Sequence, residues 1–157
     1  MTAHTSNPSS IWEPACGTGD MARVIEAAGY DVYSSDLVYR NWGDARQDFL
    51  LEQRVPHGVQ AIVTNPPFRL ATRFVEHALA LGVRKVAMLC RVAFLEGSER
   101  GGGIHQSLSR VWVFSSRITL WRGDLPEPEG GPKGGAMAFA WFVWERGHTG
   151  AHVGFIR

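Results

Sequence analysis

Asn65, Pro66, Pro67 and Phe68 form the most specific chemical feature of the chain, directly after the apolar, β-branched run Val59 to Thr64. Neither proline has a backbone N–H, and each restricts the residue before it, so the chain is held extended and the Asn65 side chain and Pro66 carbonyl are presented in a stiff frame. Two acceptors held in this way suit one planar amino group, and Phe68 can stack on the ring that carries it. Proline pairs also serve simply as strand stops, which would leave the flanking Asn and Phe without a role. A strand's carboxyl end is also where open α/β sheets bind their ligands.

A second feature is Glu13, Pro14, Ala15, Cys16, Gly17, Thr18, Gly19. Two glycines after a strand let the chain turn sharply and bring bare backbone close to a ligand, with the next helix N-terminus pointing into the same crevice. The run lacks the three-glycine dinucleotide pattern and the Walker lysine, so by itself it is also compatible with a purely structural turn. Acidic residues end the next two elements, at Asp36 and Asp48. Asp36 stands 17 residues beyond Gly19, close to the separation at which an acid after the second strand accepts ribose hydroxyls. For Asp48 the partner would be an adenine amino group, with Phe49 beside the ring.

Arg69 and Arg73 are four residues apart and share one helix face. With Arg91, Arg100 and Arg110 they are candidates for phosphate contact, and the alternative is an ordinary solvated helix. Arg100 and His105 flank a glycine run at Gly101, Gly102 and Gly103. His57, His148 and His152 are not grouped with a carboxylate or cysteine, and no metal site is expected.

Strands are expected over 9–13, 30–35, 59–64, 85–90 with a run-on to Leu95, 110–120 and 137–145. Short elements are expected at 48–50 and 154–157. Helices are expected from Met21 through Val24, Ile25 and Ala28 to Gly29, and from Leu70 through Phe74, Val75, Ala78 and Leu79 to a stop at Gly82. A short helix is also expected near His105 to Leu108. The stretch Arg122 to Gly135 is rich in Gly, Pro and acid and reads as a turn-laden excursion. Strands alternating with helices, then two strands joined by a helix-poor loop, predict a doubly wound, largely parallel α/β sheet finished by an antiparallel C-terminal hairpin. In Trp141, Phe142, Val143 and Trp144 both strand faces are apolar, which fits a strand covered on both sides rather than a base-stacking platform.

A chain of 157 residues, 45% apolar, with six Trp and eight Phe, is expected to fold as one domain over 1–157. Cys16 and Cys90 lack zinc-like spacing and read as reduced thiols of a cytoplasmic protein. The polar first ten residues show no signal peptide, and no apolar run is long enough for a membrane span. The net charge of +1 neither demands nor excludes a polyanionic partner. All the basic residues except Lys85 and Lys133 are Arg, a bias that suits bidentate phosphate contacts and also follows from a GC-rich genome.

Glu13 to Gly19 resembles motif I of the class I S-adenosylmethionine-dependent methyltransferases. Asn65 to Phe68 resembles motif IV of their amino-methylating branch, which includes DNA adenine-N6, some RNA and release-factor glutamine methyltransferases. The resemblance covers Ile11 to Leu95 in detail. The later segments, at Phe94 to Glu96, Val113 to Arg117 and Trp141 to Trp144, also resemble small phage-type adenine methyltransferases. It implies a seven-stranded sheet of order 3-2-1-4-5-7-6 and S-adenosylmethionine as cofactor. The methionine end would lie against Ala15, Gly17 and Gly19, within the cofactor-binding run Glu13, Pro14, Ala15, Cys16, Gly17. The ribose would lie on Asp36 and the adenine near Asp48 and Phe49. Asn65, Pro66, Pro67 and Phe68 would be catalytic, and Phe68, Arg69, Arg73 and Arg100 would meet the substrate. The implied reaction is methyl transfer to an exocyclic amine, adenine N6 in DNA first, with RNA or a protein glutamine as alternatives and a non-catalytic cofactor-binding partner subunit as the rival class. No separate target-recognition domain is visible, so recognition would fall to the segments 96–110 and 122–135, to a homodimer, or to a specificity partner.

Overall fold

The computed structural model describes residues 10–96, 103–120, 126, 129 and 137–157. Arg100, Gly101, Gly102 and most of the 122–135 excursion lie outside the described residues. Eight strands form one sheet: β1 (Ser10–Glu13), β2 (Asp31–Asp36), β3 (Ala45–Arg46), β4 (Val59–Thr64), β5 (Lys85–Arg91), β6 (Leu108–Phe114), β7 (Phe139–Glu145) and β8 (His152–Ile156). Their order is β3-β2-β1-β4-β5-β7-β6-β8. Every pairing is parallel except those of β7, which runs antiparallel to both β5 and β6.

The expected doubly wound α/β architecture is therefore present, with eight strands where the resemblance implied seven, the eighth falling on the short element expected at 154–157. β8 lies beside β6, with Trp112 opposite Gly154. Glycine is required there, because a Cβ on Gly154 would overlap the Trp112 indole. The third strand is Ala45–Arg46, and the expected element around Asp48 is instead a 3-10 turn over Phe49–Leu51. Asp48 caps that turn by accepting the Leu50 N–H at 3.0 Å, and short polar side chains of this type favour caps over strand interiors. Likewise, residues 103–107 form turns rather than a helix, and β5 gives way at Val92 to another 3-10 turn rather than running to Leu95.

Two α-helices stand among the described residues, α1 (Asp20–Ala27) and α2 (Ala71–Ala80). Helix α2 buries Ala71, Phe74, Val75 and Ala78, close to the expected stripe. Gly82, at φ +76°, ends it with its N–H donating to the Leu79 carbonyl. In α1 only Ala22 is buried, and Val24 is 70% exposed. An eight-residue helix docks through one narrow side, which puts Val24 in water despite its place in the expected stripe. β2 lies on one side of β1 and β5 on the far side of β4, so the right-handed rule for βαβ crossovers puts α1 and α2 on opposite faces of the sheet.

The larger core lies on the α2 face. Trp12, Ile62, Val86 and Trp144 are matched across β1, β4, β5 and β7 and are all fully buried. Their polar atoms are satisfied: the Trp12 indole donates to Ser35 Oγ at 2.9 Å and that of Trp144 to the Ile104 carbonyl at 2.6 Å. On β7, Ala140, Phe142 and Trp144 join this core, while Phe139 and Val143 are buried on the other face and Trp141 is half-buried. The aromatic run is sheet core, as its alternation predicts. Ile62 sits at the centre of the matched row, so Ile62→Val should lower stability by about 1 kcal/mol through a lost methylene and a small void. The check is a shifted urea midpoint with an unchanged slope.

Candidate active site

The carboxyl ends of β1, β2 and β4 converge on one cavity of about 870 Å³, within the roughly 300–1,000 Å³ typical of small-molecule sites. Its floor is the β1–α1 turn. Gly17 holds φ +56° and Gly19 φ +83°, the left-handed region that glycine enters at no steric cost. The turn is closed by the Gly19 N–H donating to the Cys16 carbonyl at 2.8 Å and tied to β2 by the Cys16 N–H donating to the Ser35 carbonyl at 3.0 Å.

Glu13, Pro14, Ala15, Cys16, Gly17, Asp36, Asp48 and Phe49 all line this cavity, as do Asn65, Pro66, Pro67 and Phe68. The Glu13–Gly19 and Asn65–Phe68 stretches thus meet in one chamber, although 45 residues separate Gly19 from Asn65 in the chain. Gly19 is not part of the lining. Phe49 is 2% exposed and packs edge-on against Trp12 and His77 and tilted against Phe74. Its ring thus belongs to the core as well as to the cavity lining. Arg73 lines the cavity, whereas Arg69 is exposed and outside the lining. Met21, Leu37, Arg40, Leu89 and Leu120 also line it and were not anticipated. The position of Leu37 directly after Asp36 was a usable signal; Leu120 arrives from a distant segment and had none.

Two acceptors in the lining are orphaned among the described residues: Glu13 Oε2 and Asn65 Oδ1 are buried and have no hydrogen-bond partner there. Groups of this kind are rare and call for an explanation, a ligand donor being the direct one in a cavity. Burial pushes the Glu13 carboxyl up to about 7; the charges of Asp20, Asp36 and Glu26 add to this, and a hydrogen bond with the Ala22 backbone opposes it. Burial, reinforced by Glu13 and Asp36, also pushes the Cys16 thiol up to about 12. Cys16 therefore stays protonated and is a poor nucleophile.

Asp36 is already engaged. Its Oδ2 accepts the Gly17 N–H at 2.9 Å, while Oδ1 accepts the Val38 N–H at 2.9 Å and an Arg40 N–H at 3.1 Å. The carboxylate thereby braces the glycine turn as well as facing the cavity.

Across the chamber Phe68 is 37% exposed. Its ring tilts against Phe139 at 5.6 Å, and the Arg91 guanidinium lies 4.8 Å from its centroid, a cation–π distance. Among the described residues no carboxylate pairs with Arg69, Arg73 or Arg91. Carboxylates Glu13, Asp20, Asp36 and Asp48 line the cavity together with Arg40 and Arg73, and Arg91 stands over the Phe68 ring. No group of His, Cys, Asp and Glu suited to holding a metal ion occurs among the described residues, and none of their helices is long and apolar enough to cross a membrane.

No protein-family model and no curated protein matches this sequence. Solved structures do match in shape. The 23S rRNA methyltransferase ErmE aligns with a TM-score of 0.55 at 15% identity, over 91% of this chain and 64% of its own. The Mtq2-Trm112 complex of E. cuniculi, which methylates the eRF1 translation termination factor, aligns at 0.55 and 15%, over 90% and 87%. A dimethyladenosine transferase from Plasmodium falciparum aligns at 0.56 and 11%, over 88% and 56%. The chain therefore spans somewhat less than two thirds of two of these proteins. The fold is that of the class I methyltransferases, with a mostly parallel sheet and one reversed strand.

Proposed function

We propose that this chain transfers a methyl group from S-adenosylmethionine to an exocyclic amine, adenine N6 in DNA being the first candidate. The observation that carries this reading is the buried, unpartnered Asn65 Oδ1 in a cavity that also holds Phe68. The cavity residues fit the cofactor: the glycine turn leaves backbone exposed, Asp36 and Asp48 offer acceptors, and the orphaned Glu13 carboxylate suits a cationic methionine end.

When bound, the cofactor supplies an electrophilic methyl on a positively charged sulfur. Asn65 Oδ1 and the Pro66 carbonyl accept the two N–H groups of the acceptor amine. That turns its lone pair toward the methyl and meets the positive charge that grows on nitrogen during transfer. The prolines cannot donate to Asn65, so no backbone N–H of their own competes for its oxygen. Phe68, braced by Phe139 and Arg91, holds the ring that bears the amine. A base in duplex DNA would have to leave its stack to reach this chamber. Arg69, Arg73 and Arg91, which have no carboxylate partner among the described residues, favour a polyanionic acceptor over a protein glutamine.

Removing the ring tests the substrate half of this scheme. Phe68→Ala should raise the acceptor KM about tenfold, the scale of one lost aromatic stack, and leave affinity for S-adenosylhomocysteine unchanged. The reading as a whole is tested by supplying radiolabelled S-adenosylmethionine with duplex DNA, single-stranded DNA, RNA and total protein, and identifying the modified group. N6-methyladenine in DNA is the expected product. Label only in RNA would move the acceptor to the class of ErmE, and cofactor binding without transfer to any acceptor would favour a partner subunit.

A further inference from the structure

Trp42 stands in the loop between β2 and β3 and is not part of the cavity lining. Its indole lies against Gly19 so closely that a Cβ on that glycine would overlap the ring. The Arg23 guanidinium lies 4.2 Å from the same ring. Arg23 in turn donates to the Thr18 carbonyl at 2.9 Å and pairs with Asp20 at 3.1 Å. Trp42 thus meets Gly19 and Arg23, and Arg23 in turn ties in Thr18 and Asp20, in the segment where the glycine turn becomes α1.

The residues after Trp42 fasten the loop. A Cβ on Gly43 would stand 3.1 Å from Cys16 Sγ and 3.2 Å from the Ser34 carbonyl oxygen, so this backbone packs directly on the turn. The Asp44 carboxylate accepts the Ser34 N–H at 2.7 Å, and the Asp44 N–H donates to the Ser34 carbonyl at 2.7 Å. Cys16, Gly17, Thr18 and Asp20 form one wall of the cavity. The wall is backed by 42–44 and, from inside, by Asp36 on the Gly17 N–H.

We propose that Trp42 is the positioning residue of the cofactor loop: seated in the space left by the missing Gly19 side chain, it holds residues 16–20 in the shape that receives the cofactor. Gly19 accordingly serves the indole rather than the ligand. The physical basis is that a two-glycine turn has more freedom to lose than any other turn, and a ring clamped on it removes that freedom before binding. The inference rests on the cavity being the S-adenosylmethionine site.

The test is calorimetric titration of the full chain with S-adenosylhomocysteine, joined to steady-state kinetics. Trp42→Ala should weaken binding tenfold or more and raise the KM for S-adenosylmethionine in parallel, leaving the acceptor KM within twofold. Trp42→Phe, which keeps a flat ring, should stay within threefold of wild type. Gly19→Ala should cost less in the Trp42→Ala background than in wild type, because the overlapping ring is gone. Unchanged binding by Trp42→Ala, or losses at 19 and 42 that simply multiply, would overturn the proposal. If Trp42→Ala melts below the assay temperature, Trp42→Leu is read against the same thresholds. A wild-type chain that takes up no S-adenosylhomocysteine would instead overturn the reading of the cavity, and this inference with it.

Discussion

Asn65→Ala should lower single-turnover methyl transfer by about a thousandfold, the upper end of what one preorganised electrostatic contact in a site contributes, while S-adenosylhomocysteine affinity stays within threefold. The reason is local. Among the described residues Asn65 Oδ1 is buried with no partner, so its lone pairs are open to a reacting group, and alanine removes them without altering the β1–α1 turn proposed to hold the cofactor. Pro66 is fully buried and Pro67 begins the 3-10 turn over Phe68–Leu70, with the Leu70 N–H donating to the Pro67 carbonyl at 2.8 Å. The frame therefore persists when the side chain is cut back. Turnover that survives Asn65→Ala would show that the amine is held elsewhere; loss of cofactor binding would show that Asn65 serves the other half of the chamber.

Glu13→Gln should weaken cofactor binding about a hundredfold at pH 8, in line with the roughly 2–5 kcal/mol lost when one partner of a buried charge pair is removed. The effect should fade toward pH 5. With its carboxyl pushed up to about 7, Glu13 is mostly protonated below that pH and must lose the proton to face a cation. Affinity of the wild type should therefore rise with pH, approaching tenfold per unit below pH 7 and levelling above it, while the Gln variant stays flat. Stability runs the other way. Between the ordinary value of 4.5 and about 7 the folded chain holds a proton that the unfolded chain has released, so the contribution is full below pH 4.5 and is lost as pH rises through 7. That loss is about 3 kcal/mol on the usual conversion of pKa to free energy, and Glu13→Gln should abolish it. Urea melts and calorimetry at pH 5, 6, 7 and 8 check both signs; a wild-type affinity independent of pH would remove Glu13 from the cation's surroundings.

Local chemistry made much of this legible in the chain. Strands β1, β4, β5 and β7 follow from short apolar runs, α2 from a 3.6-residue stripe, and both halves of the cavity from turn residues whose backbone demands are local. Gly17 must reach positive φ, and Pro66 and Pro67 must end β4 extended, whatever surrounds them. Because parallel strands all point their carboxyl ends one way, recognising the fold was enough to bring Glu13 and Asn65 to the same edge.

Other features depend on contacts between distant segments, which no window of sequence contains. Phe49 faces inward because Trp12, Phe74 and His77 close around it. Val24 stays in water because α1 is short. β8 pairs with β6 because Gly154 leaves room for Trp112. Gly19 reads as a ligand contact by its motif, and the structure sets the indole of Trp42, 23 residues away, directly against it. Sequence by itself marked the residues proposed for the chemistry, because the demands of a glycine turn and an Asn-Pro-Pro-Phe element are written in single residues and their neighbours. Only tertiary packing decided which of them face the chamber and which brace it, because burial belongs to the assembled sheet.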